Sequence, residues 1–231
     1  MRFDVLARLN EERRARRAAV VETPVGSEGE ARLVTQESLA GDPRRSEIEA
    51  ALRSGKARTV ETADGAFFLN VHLPAPRLVV VGAVHVSQAL APMARIAGYE
   101  VEIVDPRTAF ASPERFADVA LAAEWPEPFL ARRPLDPYCA LAAVTHDPKI
   151  DDFPIRAALE AGCFYVGALG SRKTHAKRVE RLLAAGVSQD AVDRIDAPIG
   201  LDIGAATPGE IAVSILGAVI DAFRKREIDP R

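Results

Sequence analysis

The sequence predicts an α/β protein in which a Rossmann-like, doubly wound parallel sheet follows a small N-terminal α+β region. Two observations lead to this prediction. Beyond Pro76, continuous apolar runs of strand length alternate with stretches of helical periodicity, which is typical of strands buried between two layers of helices. The first strand, helix and second strand of this part occupy about 30 residues, the size of a βαβ unit with a right-handed crossover. Pro74 and Pro76 mark the expected boundary between residues 1–76 and 77–231.

The N-terminal part carries the signals of a small mixed unit with a thin core. Phe3, Leu6 and Leu9 recur at helical spacing before a charge-rich end, which predicts an amphipathic helix. Asp64-Gly65 is a hairpin-turn signal between two short strand patterns. The remaining expected elements are a strand at 19–21, a helix at 43–53 and the two hairpin strands at 59–61 and 66–71.

The second part has a regular alternation of strands and helices. Gly98 ends the first helical pattern, and Thr207-Pro208-Gly209-Glu210 is a capping box that begins the last helix. We expect strands at 77–82, 101–105, 119–122, 140–144 and 163–169, and helices at 86–97, 153–161, 173–185 and 208–224.

Composition excludes several classes of protein. The 231 residues include 30 Lys and Arg against 33 Asp and Glu, a net charge of −3, so no basic field is expected to attract nucleic acid. No segment approaches the roughly 20 apolar residues of a membrane span, and the charged N-terminus does not resemble a signal peptide, so we expect a cytoplasmic protein. Cys139 and Cys163 lie in apolar runs and are expected to be buried thiols.

Polar side chains collect directly after the predicted strands. In a doubly wound sheet, ligands bind outside the carboxyl ends of the strands, so these residues are the candidates for a binding site. Three of the four histidines are among them. The candidates are Gly82, His85, Asp105, Arg107, His146, Ser171, Arg172, Lys173, His175 and Asp202.

The loop after the first strand departs from the dinucleotide fingerprint G-x-G-x-x-G. Its three glycine positions hold Gly82, Val84 and Ser87, and a valine at the second position places a side chain where the pyrophosphate should pass. NAD(P) binding is therefore disfavoured. Asp105 nevertheless ends the second strand, where it could accept a hydrogen bond from a ribose hydroxyl. Arg107 could either hold a phosphate or pair with this carboxylate.

The strongest candidate for an anion site is the segment from Gly170 to His175. Ser171 can cap the helix that follows, whose free N–H groups and dipole favour a phosphate, and Arg172 and Lys173 add positive charge. The alternative is a capped helix with an exposed basic face, because the basic residues continue at Lys177, Arg178 and Arg181.

The sequence has no recognised motif for metal binding or for a serine nucleophile. The histidines are far apart in the sequence, no C-x-x-C or H-E-x-x-H is present, and no G-x-S-x-G elbow accompanies Ser171. We therefore expect neither a metal site nor a catalytic group.

Several strings together resemble the XdhC/CoxI family, the accessory factors of xanthine dehydrogenase and related molybdenum hydroxylases. The similarity extends over about residues 77–225, and its most specific string is Gly-Ala-Leu-Gly-Ser-Arg-Lys-Thr-His at 167–175. The other strings are Gly82-Ala83-Val84-His85-Val86, Val104-Asp105-Pro106-Arg107, Thr145-His146-Asp147, and the segments 198–204 and 207–212.

The resemblance implies a Rossmann-type domain that binds molybdenum cofactor, protects it and hands it, after sulfuration, to an apo-hydroxylase. The cofactor is a pterin that carries a phosphate, and the ten candidate residues would surround it, with Asp105 or Asp202 on its polar ring or on a ribose. Such a protein is a carrier without turnover of its own. The partners implied are the apo-subunit of the hydroxylase, a sulfurating cysteine desulfurase and a second copy of the chain.

Two departures from the family pattern keep other functions open. Val84 replaces the second glycine of the family's usual G-A-G-H-V, and the N-terminal region lacks the family strings G-S-x-P-R and G-G-C-x-E, with at most a remnant at 23–27. One alternative is an NAD(P)-dependent oxidoreductase on the same fold. The other is a degenerate scaffold subunit that keeps the fold and the partner surface but has lost the ligand.

Overall fold

The computed structural model describes residues 2–26 and 29–226, which form two compact units. The larger unit is Ala75–Phe223, and the smaller one contains the described residues before and after it. No helix in the described part of the chain has both the length and the apolar character that crossing a bilayer requires.

The smaller unit is an antiparallel sheet with short helices. Its strands pair in the order β2-β1-β4-β3. The predicted elements are present, while β2 and α2 were missed because their segment is short and polar. In chain order the elements are α1 Phe3–Arg14, β1 Ala19–Val25, β2 Arg32–Thr35, α2 Gln36–Leu39, α3 Arg45–Ser54, β3 Arg58–Thr62 and β4 Gly65–His72.

A buried carboxylate organises this unit. Glu22 is buried on β1 and accepts hydrogen bonds from Arg32 and Arg44, and Arg32 also pairs with Asp42. Burial alone would raise the pKa of Glu22, but the bonds from Arg44 and Arg32 lower it below its usual value. Of the family remnant, residues 23–26 lie at the end of β1, and Ser27 is outside the described residues.

The larger unit is a parallel sheet of six strands in the order β10-β9-β8-β5-β6-β7. This is the doubly wound order, which reverses between β5 and β8, and it confirms the predicted Rossmann-like fold. The elements are β5 Arg77–Val81, α4 His85–Ile96, β6 Glu100–Val104, β7 Ala120–Ala122, α5 Pro126–Arg132, β8 Cys139–Ala143, α6 Pro148–Glu160, β9 Tyr165–Ala168, α7 Arg172–Ala184, α8 Gln189–Val192, β10 Ile195–Asp196 and α9 Pro208–Lys225.

Helices cover both faces of this sheet. Leu78 and Val80 of β5 pack with residues of α4 and α9, whereas Val79 and Val81 pack with residues of α5, α6 and α7. Every side chain of β5 is therefore buried, as its uninterrupted apolar run predicts. Cys139 and Cys163 are free buried thiols, and burial raises the pKa of Cys139 to about 11.

Helix α6 begins five residues earlier than the apolar pattern indicates. Asp147 accepts a hydrogen bond from the N–H of Lys149, and Pro148 occupies the first helical position. The helix then continues through Pro154, which was expected near its start. This earlier start brings the first turn of α6 to the carboxyl edge of the sheet, beside the end of β8.

Candidate functional site

The carboxyl edge of the parallel sheet presents the loops that contain the predicted site residues. Gly82 follows β5, Asp105 and Arg107 follow β6, and His146 follows β8. The remaining candidates lie at or near helix starts or in the segment before α9: His85, Ser171, Arg172, Lys173, His175 and Asp202. All ten therefore belong to the larger unit, but the structure gives them different roles.

The first loop is closed against its neighbour. Gly82 has φ +122°, and a Cβ atom there would lie 2.9 Å from Cγ2 of Thr145 and 3.1 Å from Cγ2 of Val144. Only glycine fits this close approach of the loops after β5 and β8. The base of the crevice at the point of strand reversal is therefore filled by protein.

The backbone amides of this loop are also engaged within the protein. The N–H of Gly82 donates to Val104 O at 2.9 Å, that of Ala83 to Oδ2 of Asp105 at 2.8 Å, and that of Val84 to Oγ of Ser87 at 3.2 Å. In a dinucleotide-binding protein, the amides of this loop and the helix start approach the pyrophosphate. The geometry therefore agrees with the sequence in disfavouring ordinary NAD(P) binding.

Asp105 holds the two loops in place. Its Oδ1 accepts from the backbone N–H and Nε of Arg107, and its Oδ2 accepts from Ala83 N–H and from Nη2 of Arg107. Burial alone would raise the pKa of Asp105, but these hydrogen bonds lower it below its usual value. Because the bonds occupy both oxygens, Asp105 is a structural carboxylate, and Arg107 pairs with it.

His85 and Asp202 are exposed at the edge. His85 is the first residue of α4, and Asp202 lies between β10 and α9. Neither side chain has a hydrogen bond or an ion pair to another residue that the structure describes. Close to Asp202, the N–H groups of Ala206 and Thr207 both donate to Oε2 of Glu210, each at 2.9 Å. These two hydrogen bonds belong to the cap at the start of α9.

The residues that do come together line a pocket of about 270 Å³ beside the starts of α6 and α7. His146 and Lys173, both predicted, are among them. Of the described residues in the lining, four are cationic and none is acidic. The full lining is His146, Pro148, Lys173, Thr174, Lys177, Arg178 and Arg181.

Arg178 is the most unusual residue of this pocket, because it is only 2% exposed. Its Nη2 donates to Leu169 O at 3.2 Å, whereas Nε and Nη1 are buried with no hydrogen-bond partner among the described residues. Burial lowers the pKa of Arg178, and the nearby carboxylates of Asp151 and Asp152 oppose this effect. A buried guanidinium with unused donors is rare in folded proteins, where such groups are normally satisfied.

Asp151 lies in the first turn of α6 and is 1% exposed. Its Oδ1 accepts a hydrogen bond of 2.7 Å from the hydroxyl of Thr145, and its Oδ2 has no partner in the described structure. Burial raises the pKa of Asp151 to about 6, against smaller lowering effects from Thr145 and Arg178. The site therefore contains a buried carboxyl group and a buried guanidinium that interact electrostatically but form no ion pair.

The start of α7 has the predicted cap. Oγ of Ser171 accepts the N–H of Thr174 at 3.2 Å, so this hydroxyl serves the helix. The backbone N–H groups of Arg172 and Lys173 have no partner among the described residues, as is usual for the first turn of a helix. Gly170 has φ +138°, and a Cβ there would lie 3.2 Å from Cβ and Cγ2 of Thr174, so the tight turn into α7 favours glycine. His146 is close by, with its Nδ1 3.8 Å from the same position.

His175 follows this cap but does not line the pocket. Its Nδ1 is buried with no hydrogen-bond partner among the described residues. Burial, together with the charge of Arg178, lowers the pKa of His175, which favours a neutral ring at physiological pH.

Sequence reasoning missed the residue at the centre of the pocket. Lys177, Arg178 and Arg181 were interpreted, in the alternative to an anion site, as an exposed basic face, and for Arg178 this is wrong because the side chain is buried. The available signal was helical spacing. Lys173, Lys177 and Arg181 recur every four residues and share one face of α7, and Thr174 and Arg178 lie beside them.

The described residues contain no group of three His, Cys, Asp or Glu side chains that could hold a metal ion. Together, the doubly wound sheet, the closed first loop and the basic pocket define a Rossmann-type domain in which the basic side chains collect at α7 instead of at the first loop. Residues 78–219 match the model of the XdhC Rossmann domain, and the chain belongs to this family. The resemblance seen in the sequence is thus confirmed.

Three curated relatives show the same similarity. The chain is 32% identical over 158 residues to the uncharacterized protein YqeB of Escherichia coli K12 and 34% identical over 155 residues to a probable xanthine dehydrogenase subunit of Bacillus subtilis 168. It is 30% identical over 156 residues to the molybdenum cofactor insertion chaperone PaoD of Escherichia coli K12. These matches cover 66%, 66% and 68% of this chain but only 28%, 44% and 43% of the relatives.

A solved structure is also similar. The crystal structure described as a xanthine dehydrogenase from Bacillus halodurans superimposes with a TM-score of 0.70 at 25% identity. The match covers 96% of this chain and 67% of that one.

Proposed function

We propose that this chain is a molybdenum cofactor-binding accessory protein that takes part in the maturation of a xanthine dehydrogenase-type molybdenum hydroxylase. Its membership of the XdhC family supports the proposal, as do the names of two relatives, one a cofactor insertion chaperone and the other a xanthine dehydrogenase subunit. The chain spans less than half of each of these two relatives.

The main support for the proposal is the start of α7, where basic side chains have no ion-pair partner among the described residues. The cofactor is a pterin with a phosphate, so its site needs an anion-binding helix start beside groups that hydrogen-bond a ring. Lys173 and Arg172 supply charge, and their backbone N–H groups are free in the described structure. His146 lies next to them at the end of β8 and offers its imidazole to the ligand.

The ten predicted contact residues fall into two groups, according to whether their side chains are engaged within the protein. His85, His146, Arg172, Lys173, His175 and Asp202 are the proposed ligand contacts, all with side chains that no internal ion pair engages in the described structure. Gly82, Asp105, Arg107 and Ser171 support the loops that present them. This division follows the hydrogen bonds, since a side chain fully engaged within the protein is poorly available to a ligand.

As a carrier, the protein needs no catalytic group. The recipient we propose is the apo-subunit of a molybdenum hydroxylase, and a sulfurating cysteine desulfurase and a second copy of the chain complete the proposed partners. Affinity capture of the tagged chain from cells that express a hydroxylase operon tests these partners.

The site assignment is tested by cofactor retention. The wild type and Arg172→Ala/Lys173→Ala are co-expressed with cofactor biosynthesis, purified, and assayed for bound pterin after oxidation to a fluorescent derivative. We expect the double variant to lose at least tenfold in bound pterin, because two cations at the helix start are removed. Arg53→Ala/Arg95→Ala, which removes two exposed cations elsewhere, is the matched control and should retain the wild-type amount. Equal retention in both double variants would contradict the assignment.

The dinucleotide alternative is tested on the same preparations. Titration with NADH, followed by its fluorescence, should show no saturable change, since the amides of the first loop are occupied. Saturable NADH binding in a protein that carries no pterin would overturn the proposed function.

A further inference from the structure

We propose that the pocket between α6 and α7 is a subsite for a phosphate monoester, in which the buried guanidinium of Arg178 donates to the phosphate oxygens. The proposal depends on the proposed function only for naming the cofactor as the source of that phosphate. The chemistry of the pocket can be tested without the cofactor.

The unused donors of Arg178 are the first reason. Two of its three nitrogens, Nε and Nη1, are buried without a partner in the described structure, and the side chain lines the pocket. Burying an unpaired charged group is costly, so such a group needs a partner that enters from outside the chain. Nε and Nη1 lie on different edges of the planar guanidinium, so each can donate separately to a phosphate oxygen.

The charge of the lining is the second reason. Arg181 pairs with Asp152, with Nε–Oδ2 and Nη2–Oδ1 distances of 2.5 and 3.0 Å, so its charge is largely balanced. Lys173 and Lys177 have no carboxylate within ion-pair distance among the residues that the structure describes. With Arg178, three cations are left without a direct ion pair, which suits a dianion better than a carboxylate.

The two helices add polar groups of the kind that phosphates use. The pocket lies along the first three turns of α7, and at the start of this helix the free N–H groups of Arg172 and Lys173 and the positive end of the helix dipole favour an anion. Thr174 also lines the pocket, and its hydroxyl forms a hydrogen bond of 3.0 Å with Oγ of Ser171. The helix start and the buried arginine therefore favour the same charge at the same place.

The size of the pocket indicates an end group of a larger ligand. The pocket volume of about 270 Å³ lies just below the roughly 300 Å³ at which pockets for whole drug-sized ligands begin. A phosphate with its ester carbon fits this space, whereas a pterin together with its phosphate, or a nucleotide, would extend out of it. The rest of the ligand would extend toward His146, at the rim of the pocket.

Asp151 is the neighbouring group that opposes an anion. It lies on α6, coupled to Arg178 on α7 and hydrogen-bonded to Thr145 of the β8 loop. Arg107, which also interacts with Asp151 and Asp147, is paired with Asp105, and Asp152 is paired with Arg181. Since no ion pair joins Asp151 to Arg178, the guanidinium stays available to a ligand.

The test measures binding of phenyl phosphate to the full chain by isothermal titration calorimetry. We expect one site per chain, competed by inorganic phosphate. Arg178→Gln and Lys177→Glu should each weaken binding at least tenfold. Lys177 is exposed, so its variant tests the pocket even if the buried Arg178 variant fails to fold, which circular dichroism would detect. Arg95→Glu, at the far end of α4, is the charge-matched control and should bind as the wild type does.

The outcomes distinguish this proposal from the proposed function. Phenyl phosphate binding that is unchanged in Lys177→Glu and in folded Arg178→Gln, or no binding by the wild type, would overturn the subsite. Cofactor retention by the same variants tests the proposed function separately. If the protein binds phenyl phosphate through Arg178 but never carries pterin, the subsite is supported and cofactor binding is contradicted. If it carries pterin equally with and without Arg178, cofactor binding is supported and the subsite is contradicted.

Discussion

Arg178 and Asp151 are both almost completely buried and electrostatically coupled, yet no ion pair joins them. Each keeps unused hydrogen-bonding atoms: Nε and Nη1 on Arg178, and Oδ2 on Asp151. A direct pair would have satisfied both groups and closed the pocket. Their separation instead leaves a buried cation beside a basic cavity, and this arrangement is the basis of the proposed ligand site.

The raised pKa of Asp151 predicts a pH-dependent stability. The folded protein binds this proton more tightly than the unfolded chain, so stability falls as pH rises from about 4 to about 6. A difference of about two pKa units corresponds to about 3 kcal/mol. Asp151→Asn removes this cost, and urea unfolding should find the variant more stable than the wild type at pH 8 by up to that amount.

At pH 4 most of the advantage of Asp151→Asn should disappear, because the carboxyl group is then protonated in the folded state and only about half ionised in the unfolded chain. Asp202→Asn, at an exposed carboxylate, is the control and should show no such difference. A stability gain of Asp151→Asn that is the same at both pH values would contradict the assignment.

The unpaired charge of Arg178 should lower the stability of the ligand-free protein. Replacement by methionine fills similar space and removes the unpaired charge, while it loses one bond to Leu169 O. We expect the free energy of unfolding of Arg178→Met to lie within about 1 kcal/mol of the wild type, or above it. Added phenyl phosphate should raise the melting temperature of the wild type only. A loss of more than about 3 kcal/mol would instead identify Arg178 as a structural residue.

Gly82 should tolerate no side chain. In Gly82→Ala, the new methyl group would meet Thr145 at 2.9 Å, and the φ of +122° would be strained, so we expect a loss of about 2–4 kcal/mol. Gly98→Ala is the matched control, because Gly98 also has a positive φ of +92° but an added Cβ has no atom within 4 Å. Chemical unfolding should therefore show a clearly smaller loss for Gly98→Ala; equal losses would mean that the loop contact contributes nothing.

Asp105 should stabilise the fold in its charged form. Its lowered pKa means that this stability is present above the ordinary value of 3.8 and is lost as pH falls through the folded-state pKa. Asp105→Asn removes the charge and replaces one acceptor oxygen with an NH2 donor that faces Arg107 or Ala83, so we expect a loss of about 2–4 kcal/mol at pH 7 that shrinks as the pH falls below 3.8. A variant as stable as the wild type at pH 7 would show that the loop does not depend on this carboxylate.

Much of the fold could be predicted because its signals are local. The buried strands β5 and β8 contain continuous apolar runs, β6 has three apolar residues and the buried Glu102, and capping patterns mark the starts of α7 and α9. The helix α8 and the strand β10 have four and two residues, too few to show a period. Helix α6 was predicted too short because its first turn is polar and depends on a cap at Asp147.

The site was harder to predict because burial of a charge is decided by neighbours distant in sequence. Helical spacing places Arg178 on the same face of α7 as the buried Leu182, but the burial of its charged group also depends on the packing of α6 against α7. Asp105 presents the opposite case. It has the position of a ribose-binding carboxylate, but Arg107, two residues later, occupies it.

Carriage of molybdenum cofactor by this chain is the central claim, and native mass spectrometry tests it most directly. The protein is co-expressed with cofactor biosynthesis and purified without added ligand. We expect a species heavier than the polypeptide by one molybdopterin-type ligand, greatly reduced in Arg172→Ala/Lys173→Ala. A wild-type protein that has only the mass of its polypeptide, beside a PaoD control that carries the ligand under the same conditions, would contradict the claim.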